Sequence, residues 1–195
     1  MTADNTVISN KRSGEATAIA KDLIKEFEGL RLTQYKCSGG MPTIGYGHVI
    51  RKNEQVASPV TEAQAEALLD QDVKIVQAAL RCYCHVPLTP FQEAALISFI
   101  FNLGAGAFQS STLRQKLNRS EYILAADEFP KWVHAGGRKL HGLVRRRAVE
   151  RNLFLTEVEP ETTRLVQRKG YSSSPVFGII AVVKTLCHKL GVHIT

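Results

Sequence analysis

The 195-residue chain is short of the residues that mark secreted or membrane-spanning proteins. It has four cysteines, Cys37, Cys82, Cys84 and Cys187, at irregular spacing. So few thiols in a chain of this size make no disulfide framework, and reduced thiols made in a cytosol fit better. Cys82 and Cys84 have only His85 beside them and no second pair to match, so no metal site is expected. Long apolar runs are missing too. The longest, residues 176–183, falls well short of the ~18 residues that a spanning helix takes. Residues 1–15 are polar and charged with no apolar stretch, which excludes a secretory signal peptide. Acidic residues are the minority, 18 against 25 basic, for a net charge of +7. That balance favours an anionic partner without choosing between nucleic acid, a membrane surface and an acidic polymer. There is one tryptophan, and no basic–aromatic repeat or nucleic-acid motif appears, so nucleic acid is not expected as a partner. What is present is ordinary: 44% hydrophobic and 22% charged residues, enough to build the core of one domain.

Hydrophobic spacing organises that domain. Residues 1–15 read as a flexible leader. In residues 16–28, Ile19, Leu23, Ile24 and Phe27 fall on one helix face, and Gly29 stops the helix. Residues 30–50 then change character, with Gly39, Gly40, Gly45, Gly47 and Pro42 punctuating short segments, as a small β-hairpin region would. Thr61 with Gln64, and Thr89 with Pro90 and Gln92, are start signals for two further helices. The second of these is apolar nearly all round up to Gly104 and reads as the buried central helix. Shorter helices are expected over 111–118, 120–128 and 142–155. The fold class is therefore α+β: a small β-lobe inserted after the first helix, a larger helical lobe, and a cleft between them suited to a ligand. The domain spans 16–155. Residues 156–175 read as a polar linker, and 176–195 as a short C-terminal segment, apolar first and cationic later.

Cleaving a glycosidic bond takes a proton donor for the leaving oxygen and a second group that activates water or attacks the sugar. Glu28, at a helix end, faces a hairpin region that carries Cys37 and Thr43. Glu28, eight residues, Cys37, five residues and Thr43 form a spaced triplet set between FEGLRL and TIGYGH. With LTPFQEAALISFIFNLG and GLVRRRAVERNLF downstream, this pattern resembles the phage-type lysozymes, the endolysins of glycoside hydrolase family 24. The resemblance covers roughly residues 18–155. It implies a lysozyme-like fold and hydrolysis of the β-1,4 bond between N-acetylmuramic acid and N-acetylglucosamine in peptidoglycan, leading to host lysis. Glu28 would be the general acid, which requires a carboxyl that keeps its proton near neutrality through partial burial. Cys37 stands where many relatives have Asp, and would act as a thiolate. Thr43 would hold water by its hydroxyl. No cofactor is implied.

Other residues are candidates of a second rank. His48 would touch substrate or order the hairpin. Asn102 would face the cleft or find internal partners. Arg138 would meet substrate, and an arginine from the basic segment 138–151 would turn inward to pair near the catalytic glutamate. Trp132 is expected to pack. With no export signal, the resemblance implies an enzyme that waits in the host cytoplasm, as a monomer, until a holin pore releases it to the wall. Residues 176–190, beyond the family's reach, could instead dock on the helical lobe or bind an anionic outer-membrane surface. Two alternatives stand beside hydrolysis. A lytic transglycosylase needs only one acid, so Cys37 and Thr43 argue against it. A basic membrane-active protein would need no catalysis.

Overall fold

The computed structural model describes residues 3–37 and 39–156. The linker and C-terminal segment expected from residue 156 onward therefore lie outside the described residues, apart from Thr156. Helix α1 (Ala3–Glu28) begins well ahead of the expected residue 16, so the segment read as a flexible leader is helical from Ala3. Its spacing predicts the buried face correctly: Ala16, Ile19, Ala20, Leu23 and Ile24 are all buried. Gly29 ends the helix at φ +69°, with its N–H bonded to the Lys25 carbonyl at 3.1 Å.

A three-stranded antiparallel sheet follows, in the order β1 (Arg31–Lys36), β2 (Pro42–Gly45), β3 (His48–Val49). Tyr35 lies opposite Thr43, and Thr43 opposite Val49. The sheet has a small core of its own, in which Ile44 and Val60 pack with Ala65 of α2 (Glu62–Tyr83). Gly45, at φ +66°, lets β2 pass close to α2: a Cβ there would sit 3.4 Å from that of Ala65. Farther along α2, Leu69, Val73 and Leu80 enter the main core. This helix, about 33 Å long at 1.5 Å per residue, thus belongs to both lobes.

Both expected start signals are complete capping boxes, Thr61 with Gln64 and Thr89 with Gln92. Helix α3 (Pro90–Leu103) is buried from Ala94 to Ile100 and stops at Gly104, as its apolar character predicts. Around it pack α4 (Ala105–Ser110), α5 (Thr112–Leu117), α6 (Tyr122–Ala126), a 3-10 turn (Phe129–Lys131) and α7 (His141–Phe154). Phe129 and Trp132 meet the Phe99 ring edge-on, with centroids 5.1 and 5.7 Å away, so Trp132 is a packing residue. Helix α4 and a two-stranded hairpin, β4 (His134–Ala135) with β5 (Arg138–Lys139), were not expected. The hairpin turns through Gly136 and Gly137, both at positive φ.

The order of contacts fixes how the helices run. Glu150 of α7 meets Ser98 of α3, whereas Arg147, earlier in α7, meets Asn102, later in α3. The two helices are antiparallel. Arg145 and Arg146 reach Glu26 and Glu28 at the end of α1. The C-terminal ends of α1 and α3 and the N-terminal part of α7 therefore meet at one end of the helical lobe, where the sheet begins.

Candidate active site

Glu28 is the last residue of α1, and its side chain is 25% exposed. Oε1 accepts a hydrogen bond from Arg146 Nη1 at 2.5 Å. On the other side, a Cβ at Gly47 would lie 3.6 Å from Oε2. Gly47 holds φ +93°, a left-handed conformation that favours glycine, and so brings the turn into contact with the carboxylate. The acid is therefore clamped between α7 and the turn after β2, with part of its surface open to solvent.

Cys37 follows β1 directly, and the chain turns back there: Gly40 N–H bonds the Cys37 carbonyl at 2.8 Å. The Gly39 and Met41 amides and the Thr43 hydroxyl donate towards the sulfur and hold the thiol below its usual range. A thiolate is the form these donors favour. Thr43 is buried in β2, and its Oγ1 donates to the Met41 carbonyl at 3.0 Å. With one proton to give, the hydroxyl serves either that carbonyl or an anionic sulfur, and its lone pairs can accept from water. Tyr35, opposite Thr43, links the two halves. Burial raises its phenol first, and the negative charges of Glu28 and Cys37 raise it further. Tyr35 thus stands near both the acid and the thiol.

Of segment 138–151, Arg146 and Arg147 both turn inward, and Arg146 is the one that bonds Glu28. Besides Glu28, it bonds Glu150 Oε1 through Nε at 3.1 Å and the Ser98 carbonyl through Nη2 at 3.1 Å. The period of α7 could have identified it. Val149, Glu150, Leu153 and Phe154 are buried, and extending that stripe one turn back brings Arg146 to its middle. Arg147, fully buried, donates to Asn102 Oδ1 at 2.8 Å, and burial lowers its guanidinium to about 10. Asn102 has therefore found an internal partner through its carbonyl oxygen.

The second-rank residues divide. His48 is buried, with Nδ1 2.9 Å from Asp72 Oδ2 and Nε2 3.0 Å from Glu54 Oε1. Both ring nitrogens are taken by carboxylates, so His48 orders the hairpin by tying β3 to α2 and leaves no nitrogen for substrate. Arg138 is exposed on β5 and makes no ion pair among the described residues. Tyr35, Ser98, Glu150, Asp72 and Glu54 were not candidates from the sequence, and Gly47 was read only as a turn residue. Their roles come from partners distant in the chain. Among the described residues, no helix is long and apolar enough to cross a membrane.

Known proteins resemble this chain in sequence and in fold. The endolysin of Acyrthosiphon pisum secondary endosymbiont phage 1 is 45% identical over 136 residues, 68% of this chain and 92% of that protein. The endolysin of Bacillus phage B103 is 42% identical over 145 residues, 73% of this chain but only 55% of its own length. Among solved structures, the muramidase domain of SpmX from Asticaccaulis excentricus superposes with a TM-score of 0.63 at 37% identity, covering 70% of this chain and 94% of that one. The phage lysozyme family profile matches residues 25–150, which include Glu28, Cys37, Thr43 and Arg146. The chain belongs to the phage lysozyme family.

Proposed function

We propose that this protein is an endolysin of the muramidase kind, hydrolysing the β-1,4 bond between N-acetylmuramic acid and N-acetylglucosamine in peptidoglycan. The observation that carries the reading is a carboxyl, Glu28, a quarter exposed and held by Arg146, in the same site as Cys37 and Thr43, with the charges of both Glu28 and Cys37 felt by Tyr35. Glu28 gives its proton to the leaving glycosidic oxygen. The Cys37 thiolate activates the attacking water, which the Thr43 hydroxyl orients. Arg146 fixes the carboxyl so that its proton meets the leaving oxygen in one geometry. The names of the relatives, endolysin and muramidase, support the same substrate.

In this reading Arg138, on the β4–β5 hairpin just before α7, contributes an exposed cation for the carboxylates of peptide stems, and the free amide of Asn102 meets sugar. A holin pore gives the enzyme access to the wall. The test is lysis of outer-membrane-permeabilised cells by the parent chain and by Glu28→Gln. Removing the donatable proton should cost ~10²-fold or more. A folded Glu28→Gln variant that lyses as the parent does overturns the assignment. Reducing ends among the products, in place of anhydro sugars, separate hydrolysis from transglycosylation.

A further inference from the structure

Glu150 is fully buried, although a carboxylate is among the costliest groups to bury. Oε1 accepts from the Ser98 hydroxyl at 2.7 Å and from Arg146 Nε at 3.1 Å. Oε2 lies 3.1 Å from Arg147 Nε, but the two are misaligned, and neither atom has a hydrogen-bond partner. The bonds of Glu150 are thus spent on Arg146 and on the serine that also receives Arg146 Nη2, at 3.3 Å. With Nε and Nη2 held this way, Nη1 is left aimed at Glu28.

We infer that Glu150 is a positioning residue for the catalytic acid, fixing Arg146 and, by cancelling one of two buried positive charges, setting how firmly Glu28 keeps its proton. The inference rests on Glu28 being the general acid. The charged set holds the buried Arg146, Arg147 and Glu150 and the part-exposed Glu28. With Glu28 protonated it carries one net positive charge, and with Glu28 ionised none. Without the charge of Glu150 these become two and one, and the more positive surroundings draw the proton off. Burial pushes the Glu150 carboxyl up, against the pull of both guanidiniums and Ser98. The carboxylate is nonetheless the form that fits: Oε1 accepts two hydrogen bonds, and a neutral acid would leave two buried guanidiniums short of countercharge.

The other groups around Glu28 leave this balance to α7. From α3 come only the neutral Ser98 and Asn102. The sheet brings Tyr35, with the charge of Cys37 and the Arg31 guanidinium, 4.6 Å from the Tyr35 ring centroid but exposed and so screened by solvent. On α1 itself, Lys25 is paired with Glu66 and Glu26 with Arg145. Arg151, the next cation along α7, is paired with Asp127.

The test is the pH profile of kcat/KM on soluble peptidoglycan fragments for Glu150→Gln and Arg147→Met, each checked for folding. The alkaline limb reports the free enzyme's acid. It should move down by roughly one unit in Glu150→Gln and up in Arg147→Met, with KM little changed. A merely structural role lowers activity without moving the limb in opposite directions. If Glu150→Gln does not fold, Arg147→Met alone must still move the limb up. The double variant, which replaces the buried pair by neutral groups, must return it to the parent position. Limbs that stay in place, or move the other way, overturn the inference. Glu28→Gln run beside them separates the two levels. If it is active, the reading of the acid falls; if it is inactive while the limbs stay fixed, only the role of Glu150 falls.

Discussion

At the scale of the residue, the site surrounds its thiol with neutral donors in place of a charged side chain. Cys37 has no cation among the causes that lower its thiol; the Gly39 and Met41 amides and the Thr43 hydroxyl do the work. Such donors stabilise any anion placed there, so a carboxylate suits them as well as a thiolate. Cys37→Asp should keep substantial lytic activity, whereas Cys37→Ala should lose most of it. Iodoacetamide should inactivate the parent and spare Cys37→Asp. Full activity of the parent with Cys37 shown by mass spectrometry to be alkylated would refute this. Gly47 makes a second prediction. An alanine there must adopt φ +93° and place its methyl 3.6 Å from Glu28 Oε2. That distance is an ordinary contact, so the cost is backbone strain of about 1–2 kcal/mol, which should lower the melting temperature with kcat largely kept. A melting temperature equal to the parent's would show that the turn relieves the strain.

At the scale of the element, the capping boxes give the simplest expectation. Thr61→Ala and Thr89→Ala should each cost about 1 kcal/mol in chemical denaturation, since each removes a side-chain acceptor from the amide three residues on. A change of only a tenth or two would mean that the helix starts are held by packing instead. These two starts were legible in the sequence because their signals are local, as was the stop at Gly29. Glu28, Cys37 and Thr43 stood out as candidates through the spacing that carries the family resemblance. The start of α1 was not: its first turns lack the apolar stripe that marks residues 16–28, and polarity was read as lack of structure. The β4–β5 hairpin escaped because two-residue strands carry no period, although Gly136–Gly137 was a turn signal in plain view. His48 shows the other limit. Its partners lie on a loop and on α2, at sequence distances of 6 and 24, and no local pattern announces them.

At the scale of the whole molecule, carboxylates tie the parts together, and this gives stability a pH dependence. Glu54 is held below its ordinary value chiefly by the Arg51 amide and also by His48; Lys25 and Lys21 pull Glu66 down, and Lys116 and Lys131 pull Glu128 down, each against burial. A carboxyl whose folded value is depressed contributes stability above its unfolded value and loses it as pH falls through the folded one. The melting temperature should therefore hold near neutrality and decline as pH drops below the ordinary glutamate value of 4.5. Glu128→Gln should melt lower near neutrality and decline less in acid. An equally steep acid decline in that variant would exclude Glu128 as a contributor.

The bond between Glu28 and Arg146 joins residues 118 apart in sequence. The acid is made early on the ribosome, in the first helix of the domain, and its arginine comes almost last. Nearly the whole domain must therefore emerge before the acid can meet its clamp. A nascent or truncated chain that stops short of α7 carries Glu28, Cys37 and Thr43 but lacks the arginine that aims the acid and the buried charges around it. Products interrupted before α7 should therefore be catalytically silent, and no split of the domain before α7 should yield a working half.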